Sequence, residues 1–496
     1  MQRRNLAVDF ILLYIILVYN IYIYIIVIYK NKESAVFIGR TDEIEKLETL
    51  YSSDDFQMPV IYGRRRVGKT RLITEFIRDK RAIYVQARRT NAQTNLRMLS
   101  QAVLSFSTGS PSGMFSTYDD LFDAVFELSR DERLVFVIDE FPYLAQSFPE
   151  ISSLLQDAID HRFKDESKLM LILCGSSLSF MEEQVLGYES PLYGRRTAQF
   201  KIEPFDYFTA NRYWEDTAPE DAAIYYGITG GVPAYMEKIS ASDGVKSNIE
   251  ALYLTPSGYL FEEPGNLLLQ ECKNPDQYDS IIQAIASGRS RLSEIATTAR
   301  IPESNTRSYL AKLESLGIVA RETPFGETGR RRSIYHLIDP MFTFWYKFIP
   351  EHIGLIQNNM ADAAYERIEA RMDDFMGSVF ETICTQYVYR SARAKAFPVT
   401  PARLGRWWGT DPRTKSQEEI DIVIEDGMNT ACFVECKWKN EPVGANVLAT
   451  LVRRSELFHY DSKHYALMSK RGFTEGCRAK AEEMGNVMLV ALKDME

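Results

Sequence analysis

The chain of 496 residues has few cysteines and no excess of positive charge. Its six cysteines are scattered, and no two of them form a C-x-x-C pair or another spacing typical of metal ligands. This pattern favours a reducing, cytoplasmic environment. The formal net charge of −10 argues against a protein that coats nucleic acid with a wholly basic surface, although local basic patches are compatible with it.

Length and composition indicate the class of protein and the number of its domains. Hydrophobic residues make up 45% of the chain and charged residues 25%, which is typical of a soluble globular protein. A chain of 496 residues is too long for one hydrophobic core, so we expect about two to four domains.

One segment departs from this composition. Residues 10–29 are almost entirely Ile, Leu, Val and Tyr, with Asn20 as the single polar interruption, and their number suffices to span a bilayer as a helix. Basic residues flank the segment on both sides, at Arg3, Arg4, Lys30 and Lys32. No small-residue cleavage site follows, which argues against a signal peptide. The segment is also rich in residues with AT-rich codons, so residues 1–35 are either a membrane anchor or translated sequence upstream of a natural start near Ser34.

The most specific motif follows a short apolar run at residues 59–62. Its two glycines let the backbone curl so that successive N–H groups point at phosphate oxygens, and the next helix adds its positive N-terminus. Lys69 supplies a charge for the β- and γ-phosphates, and Thr70 supplies a hydroxyl for Mg²⁺. The motif predicts binding of a nucleoside triphosphate, ATP, by a phosphate loop with the spacing G-x-x-x-x-G-K-T. The loop residues are Gly63, Arg64, Arg65, Arg66, Val67, Gly68, Lys69 and Thr70.

Buried strands alternate with helices after this loop, which predicts a parallel α/β sheet. Ligands of such sheets bind at the carboxyl ends of the strands, where Asp139, Glu140 and Ser176 fall. We predict that Asp139 holds Mg²⁺ through its waters and that Glu140 orients or deprotonates the attacking water. Ser176 or Ser177 is a candidate sensor of the γ-phosphate, and a helix N-cap before residues 178–185 is the alternative and compatible role.

Five motifs together resemble those of the prokaryotic AAA+/STAND-like ATPases of the archaeal ATPase family, over about residues 36–345. They are Phe37-Ile38-Gly39-Arg40, the phosphate loop, Val137-Ile138-Asp139-Glu140, Gly175-Ser176-Ser177 and Gly230-Gly231-Val232-Pro233. The resemblance implies an ATPase core at residues 36–204 and a helical lid at residues 205–275. It also implies that Gly39 and Arg40 lie near the adenine and that Pro233 of the lid approaches the nucleotide.

An arginine pair, Arg195 and Arg196, resembles the pair that precedes the last strand of the sheet in this family. The resemblance implies that one of the two contacts the γ-phosphate, either within the chain or from a neighbouring subunit. The second arrangement would involve a homo-oligomer or a protein partner. A solvated basic turn is the alternative.

Residues 276–347 have the pattern of a winged helix-turn-helix. Arg307 and Lys312 on its recognition helix, and Arg330, Arg331 and Arg332 in its wing, are candidates for contacts with DNA phosphates. Winged helices of these ATPases also serve as packing or protein-interaction modules, and both alternatives remain open.

The last predicted domain, residues 348–496, contains Asp421 and the pair Glu435-x-Lys437, which resemble the PD-(D/E)XK restriction-endonuclease-like pattern. Residues two apart on a strand share a face, so Glu435 and Lys437 project together. Asp421 and Glu435 would hold Mg²⁺, and Lys437 would polarise the attacking water or stabilise the phosphorane. The resemblance adds Glu381 as a further carboxylate, while Ile420 stands where the pattern has proline. An exposed hairpin with alternating charges is the alternative.

These predictions describe an α/β protein with three working parts: a P-loop NTPase parallel sheet with a helical lid, a winged helix-turn-helix, and a C-terminal α/β restriction-endonuclease-like domain. The favoured function is ATP-dependent action on DNA, in which hydrolysis gates a metal-dependent nuclease. The alternative is a regulatory ATP switch whose C-terminal domains bind protein partners and cleave nothing. Both require ATP and Mg²⁺ at the phosphate loop.

Overall fold

A computed structural model describes residues 37–327, 329 and 332–495. The predicted anchor or misassigned start therefore lies outside the described residues, as do Arg330 and Arg331 of the predicted wing. Within the described ranges, no helix combines the length and the apolar character needed to cross a membrane. Arg40–Glu496 forms one compact unit.

The first sheet has five parallel strands in the order β2-β3-β4-β1-β5. The strands are β1 (Pro59–Tyr62), β2 (Ala82–Gln86), β3 (Leu134–Asp139), β4 (Leu169–Gly175) and β5 (Ala198–Lys201). Strands β3 and β4 are buried along their whole length, because their runs of Leu, Val, Ile and Phe face helices on both sides. The predicted parallel sheet is confirmed.

Helices cover both faces of this sheet. They are Thr41–Tyr51, Lys69–Phe76, Ala92–Thr108, Tyr118–Ser129, Phe141–Ser147, Ile151–Ala158, Lys164–Glu166 and Leu178–Phe180, with π-helical turns at Ile159–Phe163 and Met181–Val185. The helix Tyr118–Ser129 begins at a capping box, in which Thr117 and Asp120 satisfy each other's backbone N–H groups.

The predicted lid is a set of short helices. They are Tyr207–Asn211, Pro219–Thr229, Pro233–Met236, Gly244–Tyr253 and Glu263–Glu271, with 3₁₀ turns at Arg212–Trp214 and Ala241–Asp243. Its Gly-Gly turn requires glycine, since Gly231 has φ 67° and a Cβ there would lie 2.1 Å from the carbonyl oxygen of Phe205. Buried tyrosines such as Tyr225 and Tyr253 fill the interior.

The region of the predicted winged helix, named here the helix–hairpin unit, has the expected order of elements. Its helices are Pro275–Ala286, Leu292–Ala299 and Glu303–Ser315, followed by the antiparallel strands β6 (Val319–Glu322) and β7 (Ile334–Leu337).

The connecting helix, Pro340–Gln357, follows β7 and joins this unit to the rest of the chain. The domain boundary expected between residues 347 and 348 falls inside it. Phe344 and Phe348 both pack edge-on against Phe375, with ring centroids 5.3 and 6.2 Å apart. Because this packing continues across the expected boundary, the border between domains would have to lie at an end of the helix.

The second sheet is mixed, in the order β12-β11-β10-β9-β8. Its strands are β8 (Arg403–Thr410), β9 (Gln417–Glu425), β10 (Thr430–Lys437), β11 (Ser462–Ser469) and β12 (Val487–Ala491). Strands β8, β9 and β10 pair antiparallel, and β10, β11 and β12 pair parallel. The helix Ala361–Glu369 precedes the sheet, and a 3₁₀ turn, Leu492–Asp494, follows it.

Both faces of the C-terminal sheet are covered. The carboxylate helix, Met372–Arg393, packs on one face, where Phe380 contacts Trp438 with ring centroids 5.5 Å apart. This side belongs to the same continuous apolar core as the ATPase sheet. The other face packs on the arginine helix, Ala445–Ser455, and on Glu475–Met484. The hairpin of β9 and β10 therefore lies in the middle of a layered α/β structure.

Candidate nucleotide and carboxylate sites

The phosphate loop has the conformation that its glycines predict. Gly63 has φ 155°, and a Cβ there would lie 2.2 Å from the carbonyl oxygen of Ile202. Gly68 has φ 93° and precedes the helix Lys69–Phe76. The Lys69 side chain is buried, and its Nζ donates to the carbonyl oxygens of Gly63 and Arg64 at 2.8 and 2.9 Å. Burial lowers the pKa of this ammonium, and a bound phosphate would supply a stronger acceptor for it.

Four predicted side chains meet next to this loop. Thr70 Oγ1 donates to Asp139 Oδ2 at 2.9 Å, which places the expected Mg²⁺ ligands together. The backbone N–H of Glu140 donates to the other oxygen, Asp139 Oδ1, at 2.9 Å. Ser176 Oγ donates to Glu140 Oε2 at 2.9 Å. These residues fit a nucleotide–Mg²⁺ site, because the Thr70 hydroxyl follows β1, and two carboxylates and a second hydroxyl lie at the carboxyl ends of β3 and β4.

Glu140 has an unusual backbone. Its φ of 53° lies in the left-handed region, which non-glycine residues seldom adopt. This conformation turns the chain sharply after β3, and the carboxylate then reaches Ser176 instead of following the strand. Ser177 precedes the helix Leu178–Phe180, but its side chain makes no capping hydrogen bond. The two serines thus have different environments.

Two residues at this site had no sequence motif to identify them. Tyr84 OH donates to Asp139 Oδ2 at 2.6 Å from the neighbouring strand β2. Cys174, on β4, is buried beside Asp139 and Lys69, and burial raises the pKa of its thiol. Both residues lie near Asp139 because β2 and β4 flank β3 in the sheet. This strand order cannot be read from the sequence alone.

The predicted lid contacts the phosphate loop directly. The ring of Pro233 lies 3.7 Å from the Cβ position at Gly68, and the Ala234 N–H donates to the carbonyl oxygen of Arg66 at 3.4 Å. Arg40 donates to the carbonyl oxygen of Val67 at 3.1 Å. The loop is thus bordered by two of the residues expected near the nucleotide. Gly39 belongs to the other unit of the chain, and its role stays a prediction.

The loop arginines bind acidic side chains from later in the sequence. Arg64 donates to Asp339 at 2.5 Å, and both side chains are buried. Arg65 Nε lies 3.9 Å from Glu271 Oε1, and its guanidinium also donates to the hydroxyl of Tyr143. Arg66 pairs with Glu263, which also accepts from the buried hydroxyl of Tyr235. The side chains of the three arginines thus bind the predicted lid, the start of the connecting helix and Tyr143, and contact of the loop's backbone N–H groups with a nucleotide stays a prediction.

The arginine pair after the Ser176 segment has other partners. Arg195 Nε and Nη2 donate to the two oxygens of Asp160 at 2.8 and 2.5 Å. Arg196 Nη1 donates to the carbonyl oxygen of Leu186 at 3.5 Å. These partners lie outside the phosphate loop. A contact with the γ-phosphate, within the chain or from a neighbouring subunit, stays a prediction.

The residues of the C-terminal pattern converge in the hairpin. Lys437 Nζ donates to Glu435 Oε1 at 2.6 Å and lies 3.9 Å from Asp421 Oδ2. The backbone N–H of Cys436 donates to Asp421 Oδ2 at 2.8 Å. Glu381, on the carboxylate helix, is close enough to interact electrostatically with Asp421.

Burial raises the pKa of two carboxyl groups of this cluster. Burial, with Asp421 nearby, raises the pKa of Glu381 to about 7. Burial and the proximity of Glu435 raise the pKa of Asp421 to about 6. Buried carboxylates that repel one another are the donor set that a hard divalent cation prefers. Across the described residues, however, no three such side chains already stand at coordinating distance from one point.

Two arginines border the cluster. Arg454, on the arginine helix, lies 3.4 and 3.3 Å from the two oxygens of Glu435 and donates to Glu418 at 2.8 Å. Arg406, at a bulge in β8, donates to Glu419 at 2.7 Å. Neither belongs to the D…E-x-K pattern, so no motif identified them.

A cleft of about 1110 Å³ separates the two sites. Gly63 and Arg64 line one side, and Glu381, Asp421 and Arg406 line another. The helix–hairpin unit supplies further lining. Residues of the phosphate loop and of the carboxylate cluster thus line a common space.

The helix–hairpin unit contacts the ATPase core through a residue that was expected to reach DNA. Lys312 Nζ donates to Ser179 Oγ at 3.2 Å, so this side chain faces the core in the present arrangement. Arg307 is exposed. Arg332 binds Glu327 and the carbonyl oxygen of Trp408. Of the described basic residues named for DNA contact, Arg307 and Arg332 are exposed to solvent.

Three family models match successive parts of the chain. Residues 37–239 match an ATPase domain found predominantly in Archaea. Residues 345–449 match archaeal and bacterial proteins of unknown function, and residues 408–496 match a restriction endonuclease family.

Relatives match over different lengths. An uncharacterized protein of Methanocaldococcus jannaschii is 29% identical over 467 residues, which cover 92% of this chain and 100% of the relative. An uncharacterized ATP-binding protein of Pyrococcus abyssi is 23% identical over 273 residues, 46% of this chain and 79% of the relative. Among solved structures, a Walker-type ATPase of Pyrococcus abyssi has 19% identity and a TM-score of 0.48, covering 63% of this chain and 96% of its own.

Proposed function

We propose that this chain, in which an archaeal-type P-loop ATPase domain precedes a restriction-endonuclease-like domain, hydrolyses ATP and uses the cycle to control metal-dependent cleavage of DNA. The ATPase step is supported by the meeting of Lys69, Thr70, Asp139 and Glu140 at the phosphate loop. The nuclease step is supported by the convergence of Asp421, Glu435 and Lys437 in the C-terminal sheet.

At the nucleotide site each side chain has a separate task. Lys69 would exchange its two carbonyl partners for phosphate oxygens, and Thr70 and Asp139 would hold Mg²⁺. Bound Mg²⁺ supplies positive charge at the phosphates. Glu140 accepts a proton from the attacking water or orients that water, and the hydroxyl of Ser176 fixes the carboxylate in place.

At the carboxylate site, Asp421, Glu435 and Glu381 would hold a divalent cation. That cation supplies charge stabilisation at a phosphodiester and lowers the pKa of a bound water. Lys437 shares a strand face with Glu435 and lies between the two carboxylates, so its ammonium can orient water or stabilise a pentavalent phosphorus.

Control of one site by the other is supported by a series of contacts that begins at the phosphate loop. Arg64 binds Asp339, which accepts the Phe342 N–H at the start of the connecting helix. The connecting helix packs on the carboxylate helix, which carries Glu381. A change in the loop on nucleotide binding would therefore act on a rigid element that reaches the carboxylate site.

A regulatory switch without cleavage is the second candidate. It is favoured by the contact of Lys312 with Ser179, because a recognition helix that packs on the ATPase core serves protein contacts better than DNA. In this alternative, the C-terminal domain binds a protein partner and Asp421 is dispensable.

Cleavage assays separate the two candidates. Purified protein is incubated with supercoiled plasmid and with linear DNA, each with and without Mg²⁺ and ATP. We expect Mg²⁺-dependent cleavage that changes with ATP and disappears in Asp421→Asn, while that variant keeps its ATPase rate. ATP hydrolysis with intact DNA under every condition would contradict the nuclease and favour the switch.

A further inference from the structure

Arg454 binds the side chain that is proposed to hold the metal ion. Its Nη1 lies 3.4 and 3.3 Å from the two oxygens of Glu435, and its Nε donates to Glu418 at 2.8 Å. The exposed fractions of the two side chains are 17% for Arg454 and 8% for Glu435. An ion pair so shielded from water is much less screened than one on the surface.

Glu435 has a second cationic partner. Lys437 Nζ donates to Glu435 Oε1 at 2.6 Å, so both carboxylate oxygens already face a positive charge. Asp421 has a weaker contact with positive charge. It accepts one backbone N–H and lies 3.9 Å from the same ammonium. The positive charge of the cluster is thus concentrated on Glu435.

A divalent cation cannot share Glu435 with this guanidinium without strong repulsion. Two like charges a few ångströms apart repel each other, and the repulsion is twice as large when one of them is divalent. Coordination by Glu435 therefore requires Arg454 to leave it. Arg454 can remain bound to Glu418 when it leaves Glu435, because the Glu418 carboxylate accepts from the Nε of Arg454 independently of Glu435.

We propose that Arg454 is an internal competitor for divalent cations: it occupies Glu435 when the metal is absent and must release it before the metal can bind. This inference rests on the proposed metal site at Asp421 and Glu435. It assigns Arg454 a role that opposes metal binding, whereas Lys437 acts in the reaction. The competition keeps the carboxylate site poor in metal until the arginine helix moves or the metal concentration rises.

The neighbouring residue gives a matched control. Arg453 lies on the same helix and also binds Glu418, at 2.7 Å, but its other partner is Asp411 at 3.4 Å. Removing Arg453 thus deletes the same charge from the same helix turn without freeing Glu435.

The test measures Mn²⁺ binding to the full-length protein without nucleotide, by electron paramagnetic resonance of the free ion. We expect Arg454→Ala to bind Mn²⁺ about tenfold more tightly than the wild type, because one repelling charge is removed. Arg453→Ala should stay within about twofold of the wild type, because its charge lies farther from Glu435. Adding Asp421→Asn to Arg454→Ala should abolish the gain. Arg454→Gln, which keeps a donor for Glu418, should reproduce the gain if the alanine variant does not fold.

The outcomes separate this inference from the proposed function. Equal or weaker Mn²⁺ binding by folded Arg454→Ala or Arg454→Gln would overturn the competition, whether or not the protein cleaves DNA. A gain that persists after Asp421→Asn would also overturn it, since the ion would then bind elsewhere. Tighter binding that depends on Asp421 would support the competition even if no DNA is cleaved, in which case the proposed nuclease alone fails.

Discussion

The guanidinium of Arg64 in the phosphate loop donates to the carboxylate of Asp339 at 2.5 Å, across 275 residues of chain, and both side chains are buried. Asp339 also caps the connecting helix, through the N–H of Phe342 at 3.1 Å. Arg64 Nε and Nη2 are buried without a hydrogen-bond partner. This pair joins the nucleotide-binding loop to the start of the helix that enters the C-terminal region.

Loss of this pair should destabilise the protein. In Asp339→Asn the Arg64 guanidinium stays buried but loses its counter-charge, and breaking a buried pair in this way costs about 3–5 kcal/mol. Urea unfolding of the two proteins measures the difference. Lys480→Ala removes one side of the exposed pair with Glu483 and should change the free energy of unfolding by less than about 1 kcal/mol. An Asp339→Asn protein as stable as the wild type would show that the pair is not essential to the fold.

One variant should lose ATP binding, and another should keep binding but lose ATP hydrolysis. Lys69→Ala removes the ammonium that compensates the phosphate charge, so we expect ATP binding to be lost or severely weakened. Glu140→Gln keeps the shape of the site but cannot accept a proton, so binding should persist while turnover is lost. Fluorescent-nucleotide titration and phosphate release measure the two effects. Hydrolysis at the wild-type rate by Glu140→Gln would mean that another residue positions the water.

Ser176 should support turnover and not binding. Its hydroxyl donates to Glu140, and removal of a hydrogen bond to a charged group costs about 1.5–3 kcal/mol, so Ser176→Ala should lower kcat at least about tenfold. Ser177→Ala is the control, because the Ser177 side chain makes no capping bond and should leave kcat within about twofold. If both variants have the same kcat, Ser176 does not act through Glu140.

Divalent cations should stabilise the carboxylate site independently of ATP. In a Lys69→Ala background, Mg²⁺ or Mn²⁺ at a hundredfold excess over Kd should add about 2.7 kcal/mol to the free energy of unfolding. Asp421→Asn should lose this response together with cleavage. Lys437→Ala should keep the response and lose cleavage, since an ammonium coordinates no metal. Thermal unfolding with and without cation checks both, and an unchanged response in Asp421→Asn would exclude this metal site.

The two hypotheses for residues 1–35 predict a different first residue and a different cell fraction for the native protein. A membrane anchor at residues 10–29 would carry the full-length chain into the membrane fraction, and a chain that starts near Ser34 would stay out of it. Sequencing the first residues of the native protein decides between them, because a native first residue near Ser34 would end the anchor hypothesis.

The sequence predicted most of the nucleotide site because its residues follow strands at fixed spacings. Lys69, Asp139 and Ser176 lie at strand ends that a parallel sheet must bring to one edge. The hairpin with Asp421 and Glu435 was predictable for a similar reason, since a turn and two apolar strands specify it locally.

Contacts between distant segments were not predictable from such patterns. The loop was predicted to bind phosphate through its backbone N–H groups, and nothing in the sequence indicated that the side chains of its three arginines bind Asp339, Glu271 and Glu263. Arg454 belongs to no motif, and it reaches Glu435 because the arginine helix packs across the C-terminal sheet. Packing of complete elements decides these partners, and a single sequence carries little information about it.

The connecting helix also limits which parts of this chain could be exchanged with parts of another ATPase. A fragment beginning at Phe348 would start in the middle of that helix and would separate Phe344 from its packing partner Phe375. The apolar core is continuous from the ATPase sheet to the C-terminal sheet. An exchange of the endonuclease-like part between ATPases would therefore have to carry a matching helix surface with it, so the ATPase part and the endonuclease-like part are expected to be inherited as one piece.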